Sequence, residues 1–170
     1  MIQILMPIRA KRVAGDMRTI RNMVEHSQWA NRRLLDGLIT YRTVNVQTKQ
    51  IIAHIVQSEL VWLTRLKGND STGIELWPQL ELTACVAISD ANKAAYESFL
   101  AKIQKDDLDQ KISYRNQTGK QYDTSISEIL THVALHSQYH RGQINILLRE
   151  DGMEPVNVDM ITYVREISCQ

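Results

Sequence analysis

"SISEILTHVALHSQYHRGQINILLRE", residues 125–150, carries two patterns on one stretch of chain. Ile126, Ile129, Leu130, Val133, Ile144, Leu147 and Leu148 return at steps of three and four. At about 100° per residue they line one side of a helix. Ser125 and Glu128 have the Ser-x-x-Glu form of a capping box, which marks where that helix begins. Glu-Asp-Gly at 150–152 marks where it stops. The same stretch holds His132, His136 and His140, three of the chain's five histidines. A helix this long with one apolar face must bury that face against other helices.

The rest of the chain supplies them. From Asp16 to about Thr40, Ile20, Met23, Val24, Ser27, Asn31, Leu34, Leu35 and Leu38 repeat at helical spacing. A second helix is expected from about Thr48 to Lys67, with Ile51, Ile55, Trp62 and Leu66 on one stripe and "GNDSTG" ending it. Pro78 disfavours helix just before it, so "ELWPQLELTA" reads as a connection. A third helix is expected from about Leu82 to Gln104, through Cys85, Val86, Ser89, Lys93, Tyr96, Phe99, Leu100 and Ile103. Ile112–Tyr114 and Gln121–Tyr122 flank a polar turn with Gly119, the pattern of a short hairpin. "VDMITYVREI" forms a short closing helix. The expected fold is all-α: a four-helix bundle, with a short hairpin before the fourth helix and a short C-terminal helix, in one domain over residues 1–170. The second connection is long enough to cross the bundle, so simple up-and-down order does not follow.

Composition narrows the function. The 170 residues carry 20 basic and 19 acidic side chains, a net charge of +1, without the basic excess of a chain that clamps phosphate backbones. No nucleic-acid partner is expected. No apolar run approaches the roughly 20 residues of a membrane span, and "MIQILMPIRAKR" has its basic residues after its apolar ones, the reverse of a secretory signal. A cytoplasmic protein without a membrane partner is expected. Cys85 and Cys169 match no metal or redox spacing.

The histidines on the fourth helix are not equivalent. Projected on its apolar face, His140 lies nearest the core, His136 further round and His132 toward the edge. His136 and His140, four apart, can aim at one point. His54 sits at the edge of the second helix's apolar face. An i, i+4 pair plus one histidine from a neighbouring helix gives three neutral nitrogens and leaves a fourth position open, as in catalytic zinc sites; imidazole also suits nickel, iron and copper, so the sequence does not choose the metal. Spacing alone leaves the other reading standing, in which these are solvated or core-edge histidines. His26 projects away from its helix's stripe and reads as a surface residue.

The chain also resembles the DinB/YfiT-like family of bundle proteins. The resemblance lies in "NRRLLDGL" (31–38), "AHIVQSELVWLTRL" (53–66), "ISYRNQTGKQY" (112–122), "DMITYVRE" (159–166) and above all "HVALHSQYHRGQ" (132–143). It implies a divalent metal held by His54, His136 and His140, zinc or nickel first and iron or manganese next. It also implies a homodimer and a small-molecule substrate, a low-molecular-weight thiol. The function so implied is a thiol S-transferase or detoxification activity, with a metal-dependent hydrolase the other enzyme class; the alternative is a non-enzymatic, stress-associated metal-binding homodimer. "HVALH" lacks the glutamate of His-Glu-x-x-His, and Glu59 projects away from His54, so no general base is evident.

Five features remain. His132 either helps order the metal ligands or is a polar edge residue. Arg141, on the core side, points to an ion pair with a neighbouring helix or to a substrate anion. Gly142 suggests close approach of another backbone. Gln143, one turn after His140, can hydrogen-bond a metal-bound water or cap a ligand. Leu135, Tyr139 and Ile146 form a second apolar stripe, covered by a second copy or by the tail.

Overall fold

In the computed structural model, which describes residues 17–169, four long helices form a bundle: α1 (Met17–Thr40), α2 (Val46–Leu66), α3 (Leu82–Leu100) and α4 (Ile126–Glu150). A short 3-10 turn (Lys105–Asp109) and an antiparallel hairpin, β1 (Lys111–Arg115) and β2 (Gln121–Ser125), join α3 to α4; α5 (Met160–Ser168) closes the chain. The all-α bundle with hairpin and closing helix matches the expectation. The expected start at Asp16 and the "MIQILMPIRAKR" stretch lie outside the described residues.

The boundaries follow local chemistry. Asn45 accepts a hydrogen bond from the Thr48 amide at 2.7 Å, so α2 starts two residues before the expected Thr48. The Ser125–Glu128 capping box forms as read: Ser125 Oγ accepts from the Glu128 amide at 3.3 Å, and Glu128 Oε2 accepts from the Ser125 amide at 3.0 Å. α3 ends at Leu100, short of Gln104, because a second capping box, Gln104 with Asp107, opens the 3-10 turn that buries Leu108. The hairpin pairs Tyr114 with Tyr122 and turns at Gly119, whose φ of 80° suits glycine.

The core divides into two apolar clusters. One gathers Leu34, Leu35, Leu38, Ile52, Ile55, Val56, Cys85, Ile144 and Leu148; the other gathers Ile20, Val24, Leu63, Leu66, Tyr96, Leu100, Ile129, Leu130 and Val133. α1 and α4 pass from the second cluster to the first, whereas α2 and α3 pass from the first to the second. The order is therefore up, down, down, up, and residues 67–81 return the chain along the bundle between α2 and α3. α2 packs on α3 and α4, and so does α1. Between the clusters each helix turns polar side chains inward: Ser27, Gln28 and Asn31; Ser58 and Glu59; Ser89 and Asn92; Ser137 and Arg141. This buried polar waist lies level with His54, His136 and His140 along α2 and α4.

Three expectations change here. His26 is buried, not a surface residue: its Nε2–H donates to the Val158 carbonyl at 2.8 Å, and Trp29 and Tyr163 pack around it. The tail that does this packs on α1, so it does not cover Leu135, Tyr139 and Ile146, which stay exposed. Gly142 approaches nothing, since a Cβ there would meet open space. The close approach is at Gly37, whose Cβ would lie 2.8 Å from Val156 Cγ2. Within the single chain, glycine at 142 therefore costs helix stability with no packing return. Gly142→Ala should stabilise the fold by about 0.5–1 kcal/mol in urea denaturation; a loss of stability would mean that something else occupies that face.

Candidate metal centre

The three histidines on α2 and α4 converge. One ring nitrogen from each of His54, His136 and His140 lies within 4.8 Å of the other two. His54 Nε2 stands 3.2 Å from His136 Nε2, and the ring centres of His136 and His140 are 4.5 Å apart. The rings meet at steep angles, 63° to 83°, so each turns an edge inward.

Neighbours fix which nitrogen is free. His54 Nδ1–H donates to the Leu76 carbonyl at 2.8 Å, and His140 Nδ1–H donates to Gln143 Oε1 at 2.7 Å. Neutral, both rings then present Nε2 as a bare lone pair. Such outer hydrogen bonds orient metal-ligating histidines. Gln143 thus holds a ligand's far nitrogen. Leu76 belongs to the returning connection, as does Trp77, whose ring stacks on His54 at 3.7 Å and 2° while staying 52% exposed. Tyr139 stands edge-on to His140 at 5.0 Å. His132 is not in the cluster; it packs between Trp62 and His136, at 5.0 and 5.4 Å.

Electrostatics favours neutral rings. Burial first, then the neighbouring imidazoles His140, His54 and His132, push His136 down to about 3. His54 is lowered by burial and by His140, against the Leu76 hydrogen bond. His132 is lowered by burial and by Arg65. Two lone pairs 3.2 Å apart repel unless a proton or a cation lies between them. Around a tetrahedral ion with bonds of about 2.0–2.1 Å, ligand nitrogens sit about 3.3 Å apart. The donor set fits a divalent metal: the three histidines are positioned to bind a metal ion.

The expected ion pair of Arg141 takes a different form. Arg141 is fully buried, and its guanidinium donates to Asn31 Oδ1 at 2.6 Å, to Ser27 Oγ at 3.2 Å and to Gln138 Oε1 at 2.9 Å. Its counter-charge is Glu59, 1% exposed, reached through those residues rather than directly. Asn31 Nδ2 donates to Glu59 Oε1 at 2.7 Å, joined by Ser137 Oγ at 3.1 Å and Ser27 Oγ at 3.4 Å. Burial pushes the Glu59 carboxyl up against the pull of Arg141, and draws Arg141 down to about 10, still charged at neutral pH. Gln28 favours the Glu59 charge, yet its amide, Glu59 Oε2 and Arg141 Nε have no hydrogen bond of ordinary geometry. Arg141 is thereby committed to the core and not to a substrate. Glu59 is not among the clustered ligands.

The family profile described as the DinB family matches residues 17–167. The chain belongs to the DinB family. It is 24% identical to protein DinB of Bacillus subtilis (strain 168), over 84% of this chain and 91% of that protein. An uncharacterized protein, YizA, of the same organism is 22% identical over 78% and 83%. The crystal structure of a DinB-like protein from Bacillus cereus ATCC 10987 superposes with a TM-score of 0.65 at 17% identity, covering 86% of this chain and all of that one, which supports the bundle fold. The three cavities described between helices and loops, of about 580, 530 and 450 Å³, are lined by none of the three histidines. His54 and His140 are buried and His136 half-buried, beside the exposed rings of Trp77 and Tyr139.

The depressed histidines make a pH prediction. With a folded value below the usual 6.5, His136 refuses a proton that the unfolded chain accepts, so stability is full above about 6.5 and falls as pH drops toward 3. Urea denaturation of chelator-treated protein should show a larger loss from pH 7 to pH 5 in the wild type than in His136→Gln. Equal losses would mean that the ring is not held neutral by the fold.

Proposed function

We propose that this DinB-family protein is a divalent-metal-dependent enzyme acting on a small thiol, a thiol S-transferase of detoxification type. The observation that carries the reading is the convergence of Nε2 lone pairs from two helices, with the tautomers of His54 and His140 set by Leu76 and Gln143. His54, His136 and His140 would hold the ion and leave a coordination position open to a ligand. A divalent cation there supplies Lewis acidity, lowering the pKa of a bound thiol so that thiolate is present near neutral pH.

The chain's own residues do the rest. Leu76 and Gln143 keep two imidazoles aimed, each with Nδ1 as the hydrogen-bond donor, and burial with the neighbouring rings opposes protonation of His136 and His54. Trp77 covers one face of His54 and limits water there. Zinc or nickel suits three imidazoles; iron and manganese are the next choices. The exposed stripe of Leu135, Tyr139 and Ile146 runs on the same helix as two of the ligands, and we read it as the face on which a second copy packs.

A second reading is favoured by one observation. No carboxylate joins the histidine cluster among the described residues, and Glu59 is committed to the core, so no carboxylate stands at the site as a general base. On that reading the protein is a non-enzymatic metal-binding homodimer.

Elemental analysis of untagged protein should find about one divalent metal per chain, reduced at least tenfold in His140→Ala, because two imidazoles hold such an ion far less well than three. Equal metal content in the two proteins would remove the site. With metal bound, conjugation of a thiol to an electrophile that disappears in His140→Ala supports the enzyme. Full metal occupancy with no conjugation across several thiols supports the second reading.

A further inference from the structure

Among the described residues two guanidiniums are buried, and only one of them has its charge answered. Arg141 is connected to Glu59 through Asn31 and Ser27. Arg65, in the last turn of α2 and 6% exposed, has no such arrangement. Its guanidinium carbon lies 4.5 Å from the Trp62 ring centre and 4.6 Å from that of Tyr114, so the group is clamped between a helix ring and a hairpin ring. Nε donates to Ser71 Oγ at 2.8 Å, on the returning connection. Among the described residues no carboxylate forms an ion pair with it, and its two terminal nitrogens have no hydrogen-bond partner. Those nitrogens are not among the sealed, unpaired atoms of the interior, so solvent reaches them.

Burying a cation without a counter-charge is costly. The two rings and the negative end of α2 offset part of that cost, but no carbonyl there accepts from the terminal N–H groups. A guanidinium locked in one plane presents a fork of parallel donors, the geometry that matches an oxyanion. Its position gives this a use. Trp62 packs on His132, and His132 packs on His136, so Arg65 stands at one end of a row of rings whose other end is the histidine cluster. Along α2, His54 and Arg65 are eleven positions apart, about 16 Å at the helical rise.

We propose that Arg65 binds an oxyanion, the carboxylate or phosphate end of a small molecule whose other end meets the three histidines. This deepens the thiol reading and rests on it for the far end only. The substrate class becomes an acidic thiol extended enough to span up to about 16 Å. The competing account makes Arg65 only a staple between α2, the returning connection and the hairpin.

The test uses chelator-treated full-length protein, so it does not depend on a metal. The Trp62 indole N–H resonance, assigned with Trp62→Phe, is followed while phosphate and acetate are titrated separately at constant ionic strength. A saturable shift is expected with at least one anion, and the effective one tells phosphate from carboxylate. Arg65→Met should weaken that binding about tenfold or more, with Arg65→Lys in between, since a charge-assisted forked pair is lost. Should the methionine variant fail to fold, the lysine variant carries the comparison, keeping charge and stem but losing the fork. A change in melting temperature with an unchanged anion titration, or no saturable shift with either anion, overturns the proposal. The thiol reading fails separately, if metal content ignores His140.

Discussion

Glu59 is a carboxylate with almost no solvent contact, and the bundle is organised around its hydrogen bonds. Asn31 and Ser27 from α1 and Ser137 from α4 donate to one of its oxygens, and Arg141 of α4 donates in turn to Asn31 and Ser27. Tyr96 of α3 adds a hydrogen bond to the Glu59 carbonyl at 2.9 Å, and Asn92 adds one to the Val56 carbonyl at 2.8 Å. All four helices are therefore tied at one level. A slip of one helical turn would leave a carboxylate or a guanidinium buried without partners, at a cost of several kcal/mol. Apolar contacts above and below the waist tolerate more, because Leu, Ile and Val can repack at small cost. The polar waist sets the register, and the register sets where His54 meets His136 and His140.

The same level explains why a reactive cluster survives in a stable fold. Neighbouring imidazoles oppose protonation of His136 and His54, and the two Nε2 atoms at 3.2 Å need a proton or a cation between them. The rings are held in place by residues outside the cluster: Leu76 and Trp77 of the returning connection, which lie over His54, and Gln143 of α4, one turn from His140. Without the down-and-down order of α2 and α3, residues 67–81 would not run back past this face. Topology thus supplies the histidine's outer hydrogen bond.

Much of this was legible in the residues. The apolar periodicities gave four helices, the capping box gave the start of α4, and projection ranked His140 and His136 ahead of His132. Ser27 and Asn31 sat on the apolar stripe of α1, which was the available sign of a buried polar network, but a stripe does not say what its polar members face. Glu59 does project away from His54, and its role became visible only with α1 and α4 in place. Trp77 and Leu76 were hidden in a connection, where no periodicity aims a side chain. His26 looked exposed because a projection on one helix takes no account of a tail folded back by later residues. Gly142 misled for a related reason: a helical glycine signals a close approach only when a neighbour exists, and here the neighbour met Gly37 instead.

Membership of the DinB family stands on residues 17–167 and the bundle fold on the four long helices, while the chemistry stands on three nitrogens; no helix among the described residues is long and apolar enough to cross a membrane. The most direct measurement is X-ray absorption at the metal edge of the zinc- or nickel-loaded protein. The account predicts three imidazole ligands, seen as outer-ring scattering, at about 2.0–2.1 Å, with the remaining coordination filled by a light, exchangeable ligand. A spectrum without imidazole scattering, or one saturated by protein ligands with no exchangeable position, would contradict it.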